Sequence, residues 1–493
     1  MRASGILLPI ASLPSEYGIG CFSKEAYSFV DKLEKAGQKY WQLLPLGPTG
    51  YGDSPYQSFS TFAGNPYFID LNELIKKGYL TKKECDSCDF GDNERYIDYG
   101  KLYLARFELL KKAHSVSDIA KDNDFIKYVK ENEYWLEDYA LYMALKDYFQ
   151  GISWIEWEKD IKLREKDAMA AYAEKLAAEV EFYQFIQYLF FTQWNRLKTY
   201  ANKKGIKIIG DIPIYVAFDS ADCWSNRSLF QFDRDNTPLA VSGCPPDAFS
   251  KDGQLWGNPL YDWDYHKKTG FTWWIQRIQY CFKLYDVVRV DHFRGFDEYY
   301  SIPYGAKNAI KGEWKKGPGV KLFEALNKEL GDMDIIAEDL GFLTDSVRAL
   351  LKATGYPGMK VLQFAFDSRE ESDYLPHNYN SNCIVYTGTH DNDTILGWYD
   401  TISKADKKLS VDYLNNADTK PEEIPWDFIR LAMGSVAKTC IVPLQDYLGL
   451  GSEARINTPS TLGENWKWRL KETDFDEKIV KRIHRMTKLY GRL

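Results

Sequence analysis

Apolar residues in this chain gather in short runs, each closed by a polar, glycine or proline position, with stretches of helical period between many of them. That alternation predicts parallel β/α units. The predicted strands are Gly5–Ile10, Tyr40–Leu44, Ile206–Asp211, Asp286–Asp291, Asp334–Glu338, Met359–Phe364, Cys383–Tyr386 and Cys440–Leu444. Eight strands are what close a (β/α)8 TIM barrel. Pro443 cannot donate a ladder hydrogen bond, so it fits only the end of the last strand.

A plain barrel uses about 250 residues, and this chain has 493. The whole of 1–493 therefore reads as one catalytic α/β barrel with large insertions. Between the second and third strands, the insertion 50–190 is mostly helical. Helices are predicted at Lys101–His114, Phe125–Phe149 and Ala168–Asn202, the last leading back to the third strand. A second insertion, 213–275, is rich in Gly, Pro, Asp and Trp and reads as a long loop region after the third strand. The stretch after the eighth strand has room for one helix or two, not for a C-terminal β-sandwich domain.

Composition narrows the function classes. Hydrophobic residues are 45% and charged residues 27%, which supports a sizeable core and excludes disorder. The net charge of −8 argues against nucleic acid or an anionic membrane as main partner. No run approaches the roughly 18–20 apolar residues of a membrane span. The short run Ile6–Ile10 contains Pro9 and reads as a strand rather than a signal peptide. Eight scattered cysteines suit a reducing cytoplasm, and the lone Cys85/Cys88 pair reads as thiols on a surface turn rather than a zinc or redox motif. Aromatic residues at 16% point to flat apolar surfaces beyond the core.

Barrel enzymes carry their chemistry at the C-terminal strand ends. Three acids fit: Asp291 ends the fourth predicted strand, Glu338 the fifth, and Asp391 follows the seventh. Any one alone reads equally well as a helix cap or a surface ion pair; three in this placement read as a site. Strand alternation turns Arg289 and Asp291 toward the barrel mouth and Val288 and Val290 toward the helices. Arg289 is expected to favour the ionised form of Asp291, as a nucleophile needs. Glu338 follows Ile-Ile-Ala, and apolar surroundings raise a carboxyl pKa, as a general acid needs. Such a pair is the equipment of retaining glycoside chemistry. Of only six histidines, His292 and His390 each adjoin one of these carboxylates. No spacing resembles a metal site and no phosphate-binding glycine loop appears, so neither metal nor cofactor is indicated. The loop 243–261 sets Phe249, Trp256 and Tyr261 among Asp, Asn, Gly and Pro, a mixture suited to packing on sugar rings.

The chain resembles the 4-α-glucanotransferases known as amylomaltases or disproportionating enzymes, of the α-amylase clan. The resembling segments include Gly5–Pro14, Tyr40–Gly47, Gly52-Asp-Ser-Pro-Tyr-Gln57, Gly210–Ala217, the 243–261 loop, Arg289-Val-Asp-His-Phe-Arg-Gly295, Ala337-Glu-Asp-Leu-Gly341, Gly388-Thr-His-Asp-Asn392 and Asn457–Trp466. The resemblance implies a barrel with insertions and no C-terminal β-sandwich. It implies Asp291 as nucleophile, Glu338 as general acid/base and Asp391 as a holder of sugar hydroxyls. Arg289, His292 and His390 would contact the glucose at the cleavage point, and Tyr56, Asp211, Trp256 and Asn465 would line neighbouring subsites. The 243–261 segment would cover the acceptor side. The implied partners are malto-oligosaccharides and α-1,4-glucans. Two rival readings share parts of this set: an α-amylase-type hydrolase with the same carboxylates, and a non-catalytic glucan-binding protein that would need only the aromatics. A phosphate-using barrel lacks support, since no Lys ends a predicted strand.

Overall fold

The computed structural model describes residues 2–50, 52–246, 250–341 and 343–493. Its strands are β1 (Ala3–Leu7), β2 (Tyr40–Gln42), β3 (Lys207–Pro213), β4 (Ala240–Cys244), β5 (Gln254–Pro259), β6 (Val287–Asp291), β7 (Glu298–Pro303), β8 (Glu313–Lys316), β9 (Ile335–Ala337), β10 (Gly358–Val361), β11 (Cys383–Tyr386) and β12 (Thr439–Pro443). Eight of them pair in parallel in the order β10-β11-β12-β1-β2-β3-β6-β9. The two edges meet: the Ala337 N–H donates to the Pro357 carbonyl at 3.0 Å, and the Met359 N–H to Asp339 Oδ1 at 2.7 Å. The sheet is thus a (β/α)8 TIM barrel, and every predicted strand is one of its staves. Their ends shift where local chemistry intervenes. Pro9 cannot extend the ladder, so β1 stops at Leu7 and Ile10–Ser12 forms a 3-10 turn. Pro443 sits at the end of β12, opposite Leu7.

Alternation along each strand feeds two cores. Leu7, Ile209, Val287, Ile336, Met359, Val361, Ile384, Tyr386 and Ile441 fill the barrel interior. Ile6, Leu8, Trp41, Ile208, Val288, Val290, Val385 and Val442 face outward and bury the apolar sides of surrounding helices. Both faces of the staves are buried, which is why they read as near-continuous apolar runs.

Between β2 and β3 the chain carries helices at Tyr99–Val116, Asn123–Glu131, Glu133–Tyr148, Lys166–Lys175 and Ala177–Lys203, among shorter turns. Two predicted helices are therefore broken in two. Asn132 (φ −113°, ψ 10°) and Leu176 (φ −108°, ψ 23°) leave helical geometry at the breaks. Apolar periodicity runs through both positions, so the pattern alone does not reveal them.

The expected long loop after β3 is only partly a loop. It contributes β4 and β5, which join β7 and β8 in a four-stranded antiparallel sheet ordered β5-β4-β7-β8. Phe249 lies outside the described residues. After β12 come a short helix (Leu444–Leu448) and a longer one (Glu477–Leu489); no sheet-rich domain follows among the described residues.

Candidate active site

Arg289 and Asp291 leave β6 on its interior face, as the alternation of its buried valines requires. Arg289 is buried, and its guanidinium divides between two carboxylates. Nη1 donates to Asp211 Oδ2 at 2.6 Å and Nη2 to Asp291 Oδ1 at 3.0 Å, while Nε points to Met359 Sδ at 3.3 Å. Asp211, on β3, is fully buried. Its register opposite Arg289 brings the pair together. Asp211 Oδ2 also accepts the Tyr56 hydroxyl at 2.9 Å. That hydroxyl lies 2.8 Å from His390 Nε2, and the Tyr56 and His390 rings stack at 5.3 Å.

Glu338 stands one residue beyond β9. Val290 and Ala337 are register partners, so Asp291 and Glu338 occupy equivalent places on adjacent staves. Glu338 accepts two backbone N–H groups, from His292 to Oε2 at 2.7 Å and from Leu340 to Oε1 at 2.9 Å. His292 adopts a left-handed conformation (φ 54°) to present its N–H this way, a strained arrangement of the kind functional sites retain. Its ring meets the Trp256 ring edge-on at 4.8 Å, and its Nε2 has no hydrogen-bond partner among the described residues.

Asp391 lies on the loop after β11. Asn457 Nδ2 donates to its Oδ1 at 2.6 Å, His390 Nε2 is 3.3 Å from its Oδ2, and Arg455 Nη2 donates to its carbonyl at 2.8 Å. Burial opposes ionisation of Asp391, yet His390, Asn457 and Arg289 together hold its pKa well below the usual carboxylate range.

The other two carboxyls shift the opposite way. Depth in the barrel mouth raises Asp291 to about 6, against the pull of Arg289 and with help from the Asp211 charge, although its side chain keeps 30% of its surface open to the groove. Arg289 does favour the ionised form of Asp291, as expected, but the guanidinium is shared with Asp211 and burial outweighs it. Burial and then the Asp291 charge raise Glu338 to about 7, against the pull of Arg289 and the two N–H donors. Glu338 therefore stays protonated to a higher pH than Asp291. Burial, reinforced by Arg294, lowers His292 to about 3 and keeps it neutral at neutral pH.

The structure brings together Tyr56, Asp211, Trp256, Arg289, Asp291, His292, Glu338, His390 and Asp391 through these contacts. Asn465 stands apart. Its side chain bonds within its own loop, to the backbone of Thr458 and to Thr461. Asn457, Arg455 and Trp466 are the residues that sequence reasoning passed over; Trp466 stands 5.9 Å from the Tyr56 ring and 6.1 Å from His390. Asn457 and Asn465 lie in one segment, and only the folded loop shows which of them reaches Asp391.

A closed β/α barrel with paired carboxyls at its C-terminal rim has the equipment of an enzyme that cleaves or transfers glycosyl groups. Residues 8–474 match a family model described as 4-alpha-glucanotransferase, and the chain belongs to that family. It is 53% identical to a 4-alpha-glucanotransferase of Clostridium butyricum over 98% of this chain and 99% of the relative. A 4-alpha-glucanotransferase of Streptococcus pneumoniae is 48% identical over 100% of this chain and 98% of the relative. Among solved structures, amylomaltase from Streptococcus agalactiae in complex with acarbose superposes with a TM-score of 0.96 at 43% identity, covering 100% of both chains.

Proposed function

We propose that this enzyme moves a segment of an α-1,4-glucan from one malto-oligosaccharide to the 4-OH of another glucan or of glucose, by double displacement with retention. Asp291 attacks the anomeric carbon. The bond to the leaving oxygen breaks as that oxygen takes a proton from Glu338, leaving a β-glycosyl ester on Asp291. The Glu338 carboxylate then takes the proton of the acceptor 4-OH as this oxygen attacks the same carbon and releases Asp291. Asp391 holds sugar hydroxyls and favours the distorted ring of the oxocarbenium-like transition state. Arg289, His292 and His390 contact the glucose at the cleavage point; Tyr56 and Trp256 line neighbouring subsites, while Asp211 backs Arg289 and Tyr56 from the barrel interior and Asn465 shapes its own loop.

The observation that carries this reading is the unlike support of two register-adjacent carboxyls. An arginine backs Asp291 at Oδ1, leaving Oδ2 without a hydrogen bond among the described residues. Two backbone N–H groups orient Glu338, which holds its proton to higher pH. A glucan-binding protein would need neither.

Transfer rather than hydrolysis requires a bound acceptor and exclusion of water. The β4–β5 hairpin supports this, carrying Trp256 against His292 beside Asp291. We read the 243–261 segment as the cover of the acceptor side. The eight cysteines are free, and no helix among the described residues is long and apolar enough to cross a membrane; both fit action in the cytoplasm. Incubation with maltotriose is the test. A ladder of longer chains plus free glucose is expected, and glucose with maltose alone would restore the hydrolase reading.

A further inference from the structure

The loop that carries His390 and Asp391 runs from Thr387, the residue after β11, to Ile395, the first residue of the helix Ile395–Thr401. Both ends of this loop meet one side chain. Asp446, in the short helix after β12, is buried. Its Oδ2 accepts the Thr387 hydroxyl at 2.6 Å, and its Oδ1 accepts the Ile395 N–H at 2.8 Å. We propose that Asp446 is a positioning residue for the transfer reaction, closing the loop 387–395 at its base and so fixing where His390 and Asp391 stand.

Several observations converge on this. No cation pairs with Asp446 among the described residues, so its carboxylate is held by one hydroxyl and one amide alone. Burial, opposed by those two donors, raises it to about 6. A packing residue could fill this space without burying a charge; two charge-assisted hydrogen bonds instead fix the separation of the loop's ends. The same stretch of chain then returns to the loop's middle. Ser452 Oγ donates to Asp393 Oδ2 at 2.7 Å, the Asn457 N–H donates to the His390 carbonyl at 3.1 Å, and Asn457 Nδ2 reaches Asp391 itself. Approach is close enough that a Cβ on Gly397 would lie 2.3 Å from Ser452 Oγ. Base and centre of the loop are thus gripped from one side by residues 446–457, and Asp446 grips the base.

The inference rests on the role of Asp391 proposed above, so its test includes that residue. Maltotriose kinetics and thermal melting are measured for the native enzyme, D391N, D446A, D446N, T387V and D391N/D446A. Misplacement of a transition-state contact by an ångström costs about 100-fold, so D446A is expected to lose on the order of that in kcat with KM nearly unchanged. D446N can still accept from Ile395 and can donate to the Thr387 oxygen, and it is expected to recover most of the loss. T387V, which removes one arm only, should lose a smaller factor. Because Asp446 acts through Asp391 and its neighbour His390, D446A should slow D391N by a clearly smaller factor than it slows the native enzyme, leaving only the share carried by His390. Native-like kcat in D446A would overturn the proposal, as would a D446A loss that multiplies fully onto D391N. Should D446A not fold, native-like kcat in T387V overturns it equally. Native-like turnover in D391N would instead overturn the role of Asp391, and this inference with it.

Discussion

Asp291 must be ionised to attack and Glu338 must be protonated to assist departure, and both carboxyls are raised by burial, Glu338 further than Asp291. The sign follows directly. Activity falls as pH drops through the Asp291 region near 6, because protonation removes the nucleophile. It falls again as pH rises through the Glu338 region near 7, because the acid is lost. A narrow bell for kcat/KM is expected, with limbs that belong to the coupled pair. Replacing Glu338 with Gln should abolish the alkaline limb and slow glucan transfer by about 100- to 10,000-fold, the usual reach of a positioned acid; an alkaline limb that persists unchanged would assign it to another group. These carboxyls were legible in the sequence because each sits at the end of an apolar run. Their pKa balance was not. The sharing of Arg289 with Asp211 depends on the register of β3 against β6, which no local pattern reveals.

The barrel staves declared themselves because both faces are buried, which makes each a compact apolar word. The strands β4, β5, β7 and β8 did not. β8 is Glu-Trp-Lys-Lys, largely exposed, and β4 finds its partner β7 only across the intervening β5 and β6. The hairpins β4–β5 and β7–β8 are local, but only the distant β4–β7 pairing joins them into a sheet, so the segment reads as loop. Its hairpin brings Trp256 to His292. An aromatic contact of this kind contributes about 0.5–1.5 kcal/mol beyond area burial. W256A is therefore expected to raise the acceptor KM by about 3- to 10-fold, with a larger share of maltotriose going to glucose and maltose. An unchanged transfer-to-hydrolysis ratio would remove the hairpin from acceptor binding.

At the opposite end of the barrel the chain termini are stitched together. Arg492 is fully buried and donates to the carbonyls of Met433, Ala3, Ser435 and Ala437, and Arg2 donates to Met433, Ser435 and Tyr490. This ties the last helix to β1 and to the approach to β12, far along the chain from the catalytic rim. R492A leaves several buried carbonyls unpaired at about 1–3 kcal/mol each. It should lower the melting temperature by several degrees or more while leaving kcat per folded molecule unchanged; an equal loss of both would tie the base of the barrel to catalysis. The double-displacement mechanism stands or falls on one covalent bond, and that bond can be trapped. A slow-reacting fluorinated maltosyl donor is mixed with the native enzyme and the protein digested with trypsin, which cuts after Arg289 and Arg294. Mass spectrometry should find one glycosyl adduct, on the peptide Val290–Arg294, at Asp291. An adduct on any other peptide, or inverted products with no adduct, would contradict the double-displacement mechanism.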